Sequence, residues 1–220
     1  MQRKVRTLEM KFLKYYLLSL GIIILDQVVK LLVYNYMEMG LAGEIKLIGN
    51  LFKLHYTLNP GMAMGLELGS EYGKLILTIF RIAAMVGIGY YLYQLIEKHA
   101  PKGLLICVAM ILGGAIGNVI DSTFYGVLLN NAPYGVPTPW FHGQVIDMFY
   151  IDIWEGYLPD WLPIMGGQYY SFWPIFNIAD ASIFIAVILI LIFQKKFFAE
   201  KTPGYEGGKP SVTTPEFQNT

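Results

Sequence analysis

Long apolar runs dominate the chain. Four of them approach or exceed the roughly 20 residues an α-helix needs to cross a bilayer: Phe12 to Tyr36, Leu75 to Ile96, Gly103 to Ile120 and Phe176 to Phe193. Charge interrupts them in few places, at Asp26 and Lys30 in the first, Arg81 in the second and Asp180 in the fourth. The pattern predicts a membrane α-helical fold with four transmembrane helices in one domain, residues 1–200. Between the first two spans, residues 38–73 change period. Lys46-Leu47-Ile48 and Phe52 to Thr57 alternate around the turn residues Gly49 and Asn50, which predicts a small β-rich external subdomain. Residues 122–175 are rich in Pro, Gly and aromatics, with Trp140, Trp154, Trp161 and Trp173. Trp and Tyr favour the headgroup region, so this second external loop is expected to lie along the interface. Residues 201–220 are polar and contain Gly and Pro, which predicts a disordered tail. The first span has a basic flank, yet it is too long and too charged for a cleaved signal peptide, and no small-residue cleavage site follows it. It reads as a retained helix.

Lys and Arg placement gives the orientation. Arg3, Lys4, Arg6 and Lys11 precede the first span and Lys14 lies in its first turn, Lys98 and Lys102 separate the second from the third, and Lys195, Lys196, Lys201 and Lys209 follow the fourth. The loop between the first and second spans has Lys46, Lys53 and Lys74, and residues 121–175 contain no Lys or Arg. The positive-inside rule therefore expects both termini in the cytoplasm and both long loops outside. Composition agrees with a membrane protein: 55% of residues are hydrophobic and 15% charged, against about a quarter charged in soluble domains. Formal charges cancel, so no basic field points to nucleic acid. Cys107, the single cysteine, can build neither a disulfide framework nor a zinc site.

Topology brings the ionisable groups to one level. Asp121 falls at the outer end of the third span, Asp180 near the outer start of the fourth, Arg81 in the outer part of the second, and Asp26 with Lys30 in the outer half of the first. Asp147 lies in an apolar stretch of the second external loop. Intramembrane charges are costly and mark function or pairing. Asn118 with Asp121 and Asn177 with Asp180 are spaced i,i+3, and Asp26 with Lys30 i,i+4, so each pair shares a helical face. Gly113, Gly114 and Gly117 give the third span a face another helix can approach closely. Several of these groups have plain structural readings. Asp26 with Lys30 can be an internal ion pair, Asp121 a helix-end group, and Arg81 a neutralising partner for one of the acids. His55, His99 and His142 show no metal-binding spacing and read as surface or interface residues.

Two close acids in a low-dielectric site cannot both ionise easily, so they share a proton and divide the roles of base and acid. Such a pair can activate water against a carbonyl without metal or covalent intermediate. No Ser-His, Cys-His or His-Glu-x-x-His arrangement competes for the role. Residue chemistry leaves open which two of Asp121, Asp147 and Asp180 react. It also leaves open a proton-coupled carrier, although a carrier needs polar groups through the midplane, and a lipid-binding scaffold.

Five segments in order resemble lipoprotein signal peptidase (signal peptidase II): Asp26-Gln27-Val28-Val29-Lys30, residues 59–65 (Asn-Pro-Gly-Met-Ala-Met-Gly), Gly113 to Asp121, Val145-Ile146-Asp147-Met148-Phe149 and Phe176-Asn177-Ile178-Ala179-Asp180. The resemblance covers the chain except its tail. It implies an aspartyl endopeptidase of the bacterial inner membrane that cuts diacylglyceryl-modified prolipoproteins just before the lipidated cysteine. It implies Asp147 and Asp180 as catalytic residues, with Asp26, Lys30, Asn59, Asn118, Asp121 and Asn177 in supporting or substrate-orienting roles. No cofactor or metal is implied, the partners are lipid-modified precursors and membrane lipid, and a monomer is expected. Two departures stand out. Ser122 occupies the place where the family commonly has Arg, and the stretch between Gly126 and Val145 is longer than usual. Arg81, at similar depth on a neighbouring span, is expected to supply the missing charge, and the longer stretch to form part of a lid.

Overall fold

The computed structural model describes residues 2–60, 72–163 and 166–199. The expected disordered tail and the Gly61 to Gly65 part of the second motif lie outside these residues. Helix α1 runs from Gln2–Tyr36, α2 from Gly73–Glu97 and α3 from Lys102–Ile120. After α3 the chain makes one wider π-helical turn, Asp121–Tyr125, and a last short turn, α4, Gly126–Leu128. Three segments, Phe12–Tyr36, Gly73–Glu97 and Lys102–Leu128, are long and apolar enough to span a membrane. The fourth expected span is shorter than its apolar run. Helix α5 covers Ile178–Ile192, 15 residues, or about 22 Å at the α-helical rise. Its start is fixed by a capping box. The Asn177 side chain accepts from the Asp180 backbone N–H, and the Asp180 carboxylate accepts from that of Asn177. Phe176 therefore stays extended, bridged to Phe149. A single turn, α6 (Gln194–Phe197), follows α5.

Outside the helices, β1 (Ile45–Ile48) and β2 (Phe52–Asn59) form the antiparallel hairpin that their alternation anticipates. A third strand, β3 (Val145–Ile151), pairs antiparallel with β2, giving the order β1-β2-β3. The register sets Thr57 opposite Asp147 and Asn59 opposite Val145, after an irregularity between Leu54 and Thr57. Strands β4 (Glu155–Tyr157) and β5 (Tyr169–Ser171) make a separate two-stranded ribbon.

The bundle is centred on α3, which packs against α1, α2 and α5. Its glycines make these approaches possible. A Cβ on Gly114 would collide with the Ala179 carbonyl oxygen, and one on Gly117 would lie 2.6 Å from Oδ2 of Asp26. Gly117→Ala is accordingly expected to lower stability by about 1–3 kcal/mol through overpacking, read as a lower melting temperature in detergent. An unchanged melting temperature would mean that α1 and α3 can part without cost. Outward faces of α1 and α2 expose Leu17, Leu20, Ile24, Ile76, Ile79 and Phe80, whereas Asp26, Lys30, Asp121, Asp147 and Asn177 are enclosed. This is the polarity a lipid-facing bundle requires.

The segment between Asn130 and Gln144 is fastened to the π turn. Phe141 and Gly143 donate backbone N–H groups to the Thr123 and Ser122 carbonyls, and Thr78 Oγ1 donates to the Phe141 carbonyl. Asn131 and Gln144 clasp each other through three hydrogen bonds. The stretch expected to form part of a lid is thus fastened to the turn that ends the third helix. His142 within it is fully buried, its Nδ1 2.9 Å from the Trp140 carbonyl, which corrects the surface reading. A carbonyl can only accept, so Nδ1 carries the proton. His55 is partly buried against Glu44, 3.1 Å away.

Candidate active site

The site forms where the C-terminal ends of α1 and α3 and the N-terminus of α5 meet β2 and β3. Asp26, Lys30 and Gln27 come from α1, Asn118 from α3, Asp121 from the π turn, Asn59 from β2, Asp147 from β3, and Asn177 with Asp180 from the cap of α5. Lys30 is its fixed charge. Nζ lies 2.7 Å from Oδ2 of both Asp26 and Asp121, and all three side chains are fully buried. Its third hydrogen bond goes to Oδ1 of Asn118 at 3.1 Å. An ammonium has three donors, so Lys30 is satisfied. The expected i,i+4 pair is therefore one half of a triad that also holds Asp121, which is not a helix-end group reaching for water.

Asp26 and Asp121 are occupied on both oxygens. Asp26 Oδ1 accepts from the Ala179 backbone N–H at 2.9 Å, which ties α1 to the first turn of α5. Asp121 Oδ1 accepts from Gln27 at 2.9 Å, and Oδ2 takes the Ile146 N–H at 3.4 Å in addition to Lys30. Gln27 entered the sequence reading only as a member of the first motif, with no role of its own. It also donates to Asp26 and the Gly117 carbonyl, and it accepts from the Tyr125 hydroxyl. The signal was present as an amide beside Asp26 inside an apolar run, and only the fold shows what it joins.

Asp147 and Asp180 are held differently, by neutral amides. Asn177 Nδ2 donates to Asp147 Oδ1 at 2.6 Å and Asn59 Nδ2 to Oδ2 at 3.0 Å. Asn118 Nδ2 donates to Asp180 Oδ1 at 2.8 Å. The two asparagines are themselves linked, Asn177 Nδ2 to Asn118 Oδ1 at 3.2 Å. A continuous path therefore leads from Lys30 through Asn118 to Asp180, and through Asn177 to Asp147. Burial, with the neighbouring Asp180 charge adding to it, pushes the Asp147 carboxyl up to about 7, against the opposing hydrogen bonds of Asn59 and Asn177. A carboxyl that changes state near neutral pH beside a second carboxyl is suited to proton transfer.

Arg81 reaches this site from α2. Its Nη1 donates to Ser122 Oγ at 3.2 Å, and its charge attracts Asp180, Asp147 and Asp121. Two turns earlier, Lys74 Nζ donates to the Pro60 carbonyl at 2.6 Å, fastening the end of β2 to the start of α2. Sequence reasoning did not single out Lys74. Among the described residues, no group of three or more His, Cys, Asp or Glu side chains forms a metal-binding cluster.

A membrane bundle that turns apolar side chains outward and gathers four carboxylates, two tied to a lysine and two held by amides, defines a membrane-embedded enzyme. A sequence model described as signal peptidase II matches residues 18–196. The lipoprotein signal peptidase of Amoebophilus asiaticus is 49% identical over 211 residues, covering 96% of this chain and 89% of that protein. That of Porphyromonas gingivalis is 41% identical over 182 residues, covering 78% of each. A solved structure described as a bacterial membrane enzyme aligns with TM-score 0.54 at 26% identity, covering 87% of this chain and 93% of that one. The chain belongs to the signal peptidase II family and is a membrane peptidase that removes signal peptides from lipoprotein precursors.

Proposed function

We propose that Asp147 and Asp180 are the catalytic pair, and that the bond cut is the one preceding a diacylglyceryl-modified cysteine at the outer edge of the bacterial inner membrane. The observation that carries the assignment is the division among the site's carboxylates. Asp26 and Asp121 are committed to Lys30, whereas Asp147 and Asp180 are oriented by amide donors, with no salt bridge to either among the described residues. Near neutral pH the pair carries one proton, held by Asp147. Asp180 takes a proton from water as the water oxygen attacks the scissile carbonyl, and Asp147 gives its proton to the carbonyl oxygen. As the tetrahedral intermediate collapses, one of its hydroxyls returns a proton to Asp147 while the C=O re-forms, the C–N bond breaks and the proton on Asp180 passes to the departing amine of the cysteine. No metal or covalent enzyme intermediate is needed. Asn59, Asn118 and Asn177 orient the pair, and Lys30 with Asp26 and Asp121 fixes the helices that carry it. In this reading both termini are cytoplasmic, α5 with the residues flanking it completes a fourth crossing, and the enzyme acts as a monomer.

The mechanism predicts a bell-shaped pH dependence. Above about 7 the proton on Asp147 is lost and kcat/KM falls, and well below it both acids are protonated and no base remains. A rate that rises steadily to pH 9 would sink the assignment of Asp147 as the acid. The test of the function itself is hydrolysis of a purified precursor with and without its diacylglyceryl group, with cleavage expected only for the modified form.

Arg81 is a positioning residue in this scheme. Its cation favours ionised carboxylates, so Arg81→Ser is expected to move the basic limb of the profile, set by Asp147, upward. Arg81→Ser combined with Ser122→Arg, which returns the cation to the neighbouring position, is expected to move it back. A basic limb unmoved in the single variant, or not restored in the double, would remove Arg81 from the site.

A further inference from the structure

We propose that the apolar cavity between α5 and the segment leading into it is the seat of one acyl chain of the substrate's diacylglyceryl group. The inference rests on the substrate reading above and names which wall of the enzyme recognises the lipid. The cavity has a volume of about 510 Å³ and is lined by Asp180, Phe184 and Ile185 of α5 together with Ile151, Trp173 and Phe176. Its lining is almost wholly apolar apart from the Asp180 end. Whatever fills it therefore lies directly against one of the two catalytic carboxylates. Trp173 and Phe184 meet edge to face with ring centres 5.6 Å apart, bracing the wall against α5.

Three occupants could reach such a place, and chemistry selects among them. An extended polypeptide would leave its backbone N–H and C=O groups facing apolar side chains, at a cost of several hydrogen bonds. A signal helix satisfies its own backbone but is about 10–12 Å across with its side chains, so little more than one turn would fill the whole volume. A hydrocarbon chain has no polar groups to satisfy and is narrow. Phe184 and Ile185 belong to the exposed outer face of α5, so the cavity is reached sideways from lipid and the chain never crosses water. The thioether-linked lipid sits on the residue immediately after the scissile bond, which matches a cavity that begins at Asp180 itself. Transfer from bilayer to cavity brings little hydrophobic gain, because lipid tails are as apolar as the lining. Recognition is therefore by fit, and the cavity measures chain length.

The test uses the full-length enzyme and synthetic precursors whose diacylglyceryl chains differ in length. Ile185→Trp fills the cavity and is expected to reduce kcat/KM for long-chain precursors by about tenfold relative to short-chain ones, through KM, as overpacking does. Phe184→Ala opens the cavity and is expected to shift the preference the other way. A second measurement does not depend on turnover. A photoreactive group at the end of the acyl chain, with the precursor bound to the Asp147→Asn enzyme, should label Trp173, Phe184 or Ile185. Labels confined to α1 and α2, or a length preference unchanged in both variants, would overturn the acyl seat while leaving the peptidase reading intact. Labelling of these residues by a free phospholipid probe that precursor does not displace would assign the cavity to bulk lipid and equally overturn it. Absence of any cleavage of the lipidated precursor by the unmodified enzyme would instead mark failure of the underlying reading.

Discussion

Asp147→Asn is expected to abolish cleavage of a lipidated precursor without unfolding the protein. Loss of one positioned general acid or base costs about 10²–10⁴-fold, and an amide can neither give up nor take the proton the reaction needs. Asp180→Asn should be equally inactive. The stability of Asp147→Asn separates a catalytic acid from a structural one. Its folded pKa lies above that of an unfolded carboxyl, so any stability it contributes is present at low pH and is lost as pH rises through about 7. At pH 8 the native protein bears the cost of a charge that burial and Asp180 both oppose. The variant should therefore melt no lower than the parent at pH 8, while cleaving nothing. A clearly lower melting temperature there would make Asp147 a structural residue, and substantial cleavage by both variants would remove the pair. In Asp180→Asn the remaining carboxyl should also titrate lower, because one of the causes raising it is gone.

Lys30→Met is expected to be the most destabilising single change at the site, by about 3–5 kcal/mol, because it leaves two buried carboxylates without their cation. Both are fully buried, 2.7 Å from the same nitrogen, so neither can turn to water. The effect should be largely relieved in Lys30→Met with Asp26→Asn, which removes one of the stranded charges and keeps an acceptor for the Ala179 N–H. Thermal or denaturant unfolding of the two single variants and the double gives the coupling directly. Additive losses would show that the triad does not act as a unit. Activity should follow stability here, because Lys30 is hydrogen-bonded to Asn118, which holds Asp180 of the proposed pair.

The chain's own pattern determines a good deal of this protein. The three long spans follow from run length alone, since a segment of about 20 apolar residues has few stable settings outside a bilayer. The β1–β2 hairpin follows from strict alternation around Gly49 and Asn50. The gathering of Asp26, Arg81, Asp121 and Asp180 at one level follows from topology, because antiparallel spans return to the same depth at known positions. Their ordered motifs also suffice to indicate the family.

Tertiary structure decides how those groups divide. Asp26 and Asp147 are separated by more than a hundred residues, and no local rule states that one meets a lysine and the other two amides. That choice depends on β3 pairing with β2, which sets Thr57 opposite Asp147 and brings Asn59 to its carboxylate. It depends equally on Asn177 capping α5 rather than continuing the apolar run, which shortens the helix and turns its amide toward Asp147. The reach of Arg81 to Ser122 is of the same kind. Hydrophobic periodicity is a local property and fixes elements and depth. Hydrogen bonds between distant segments are decided only when α3, with glycines at its contacts, lets α1 and α5 close around it.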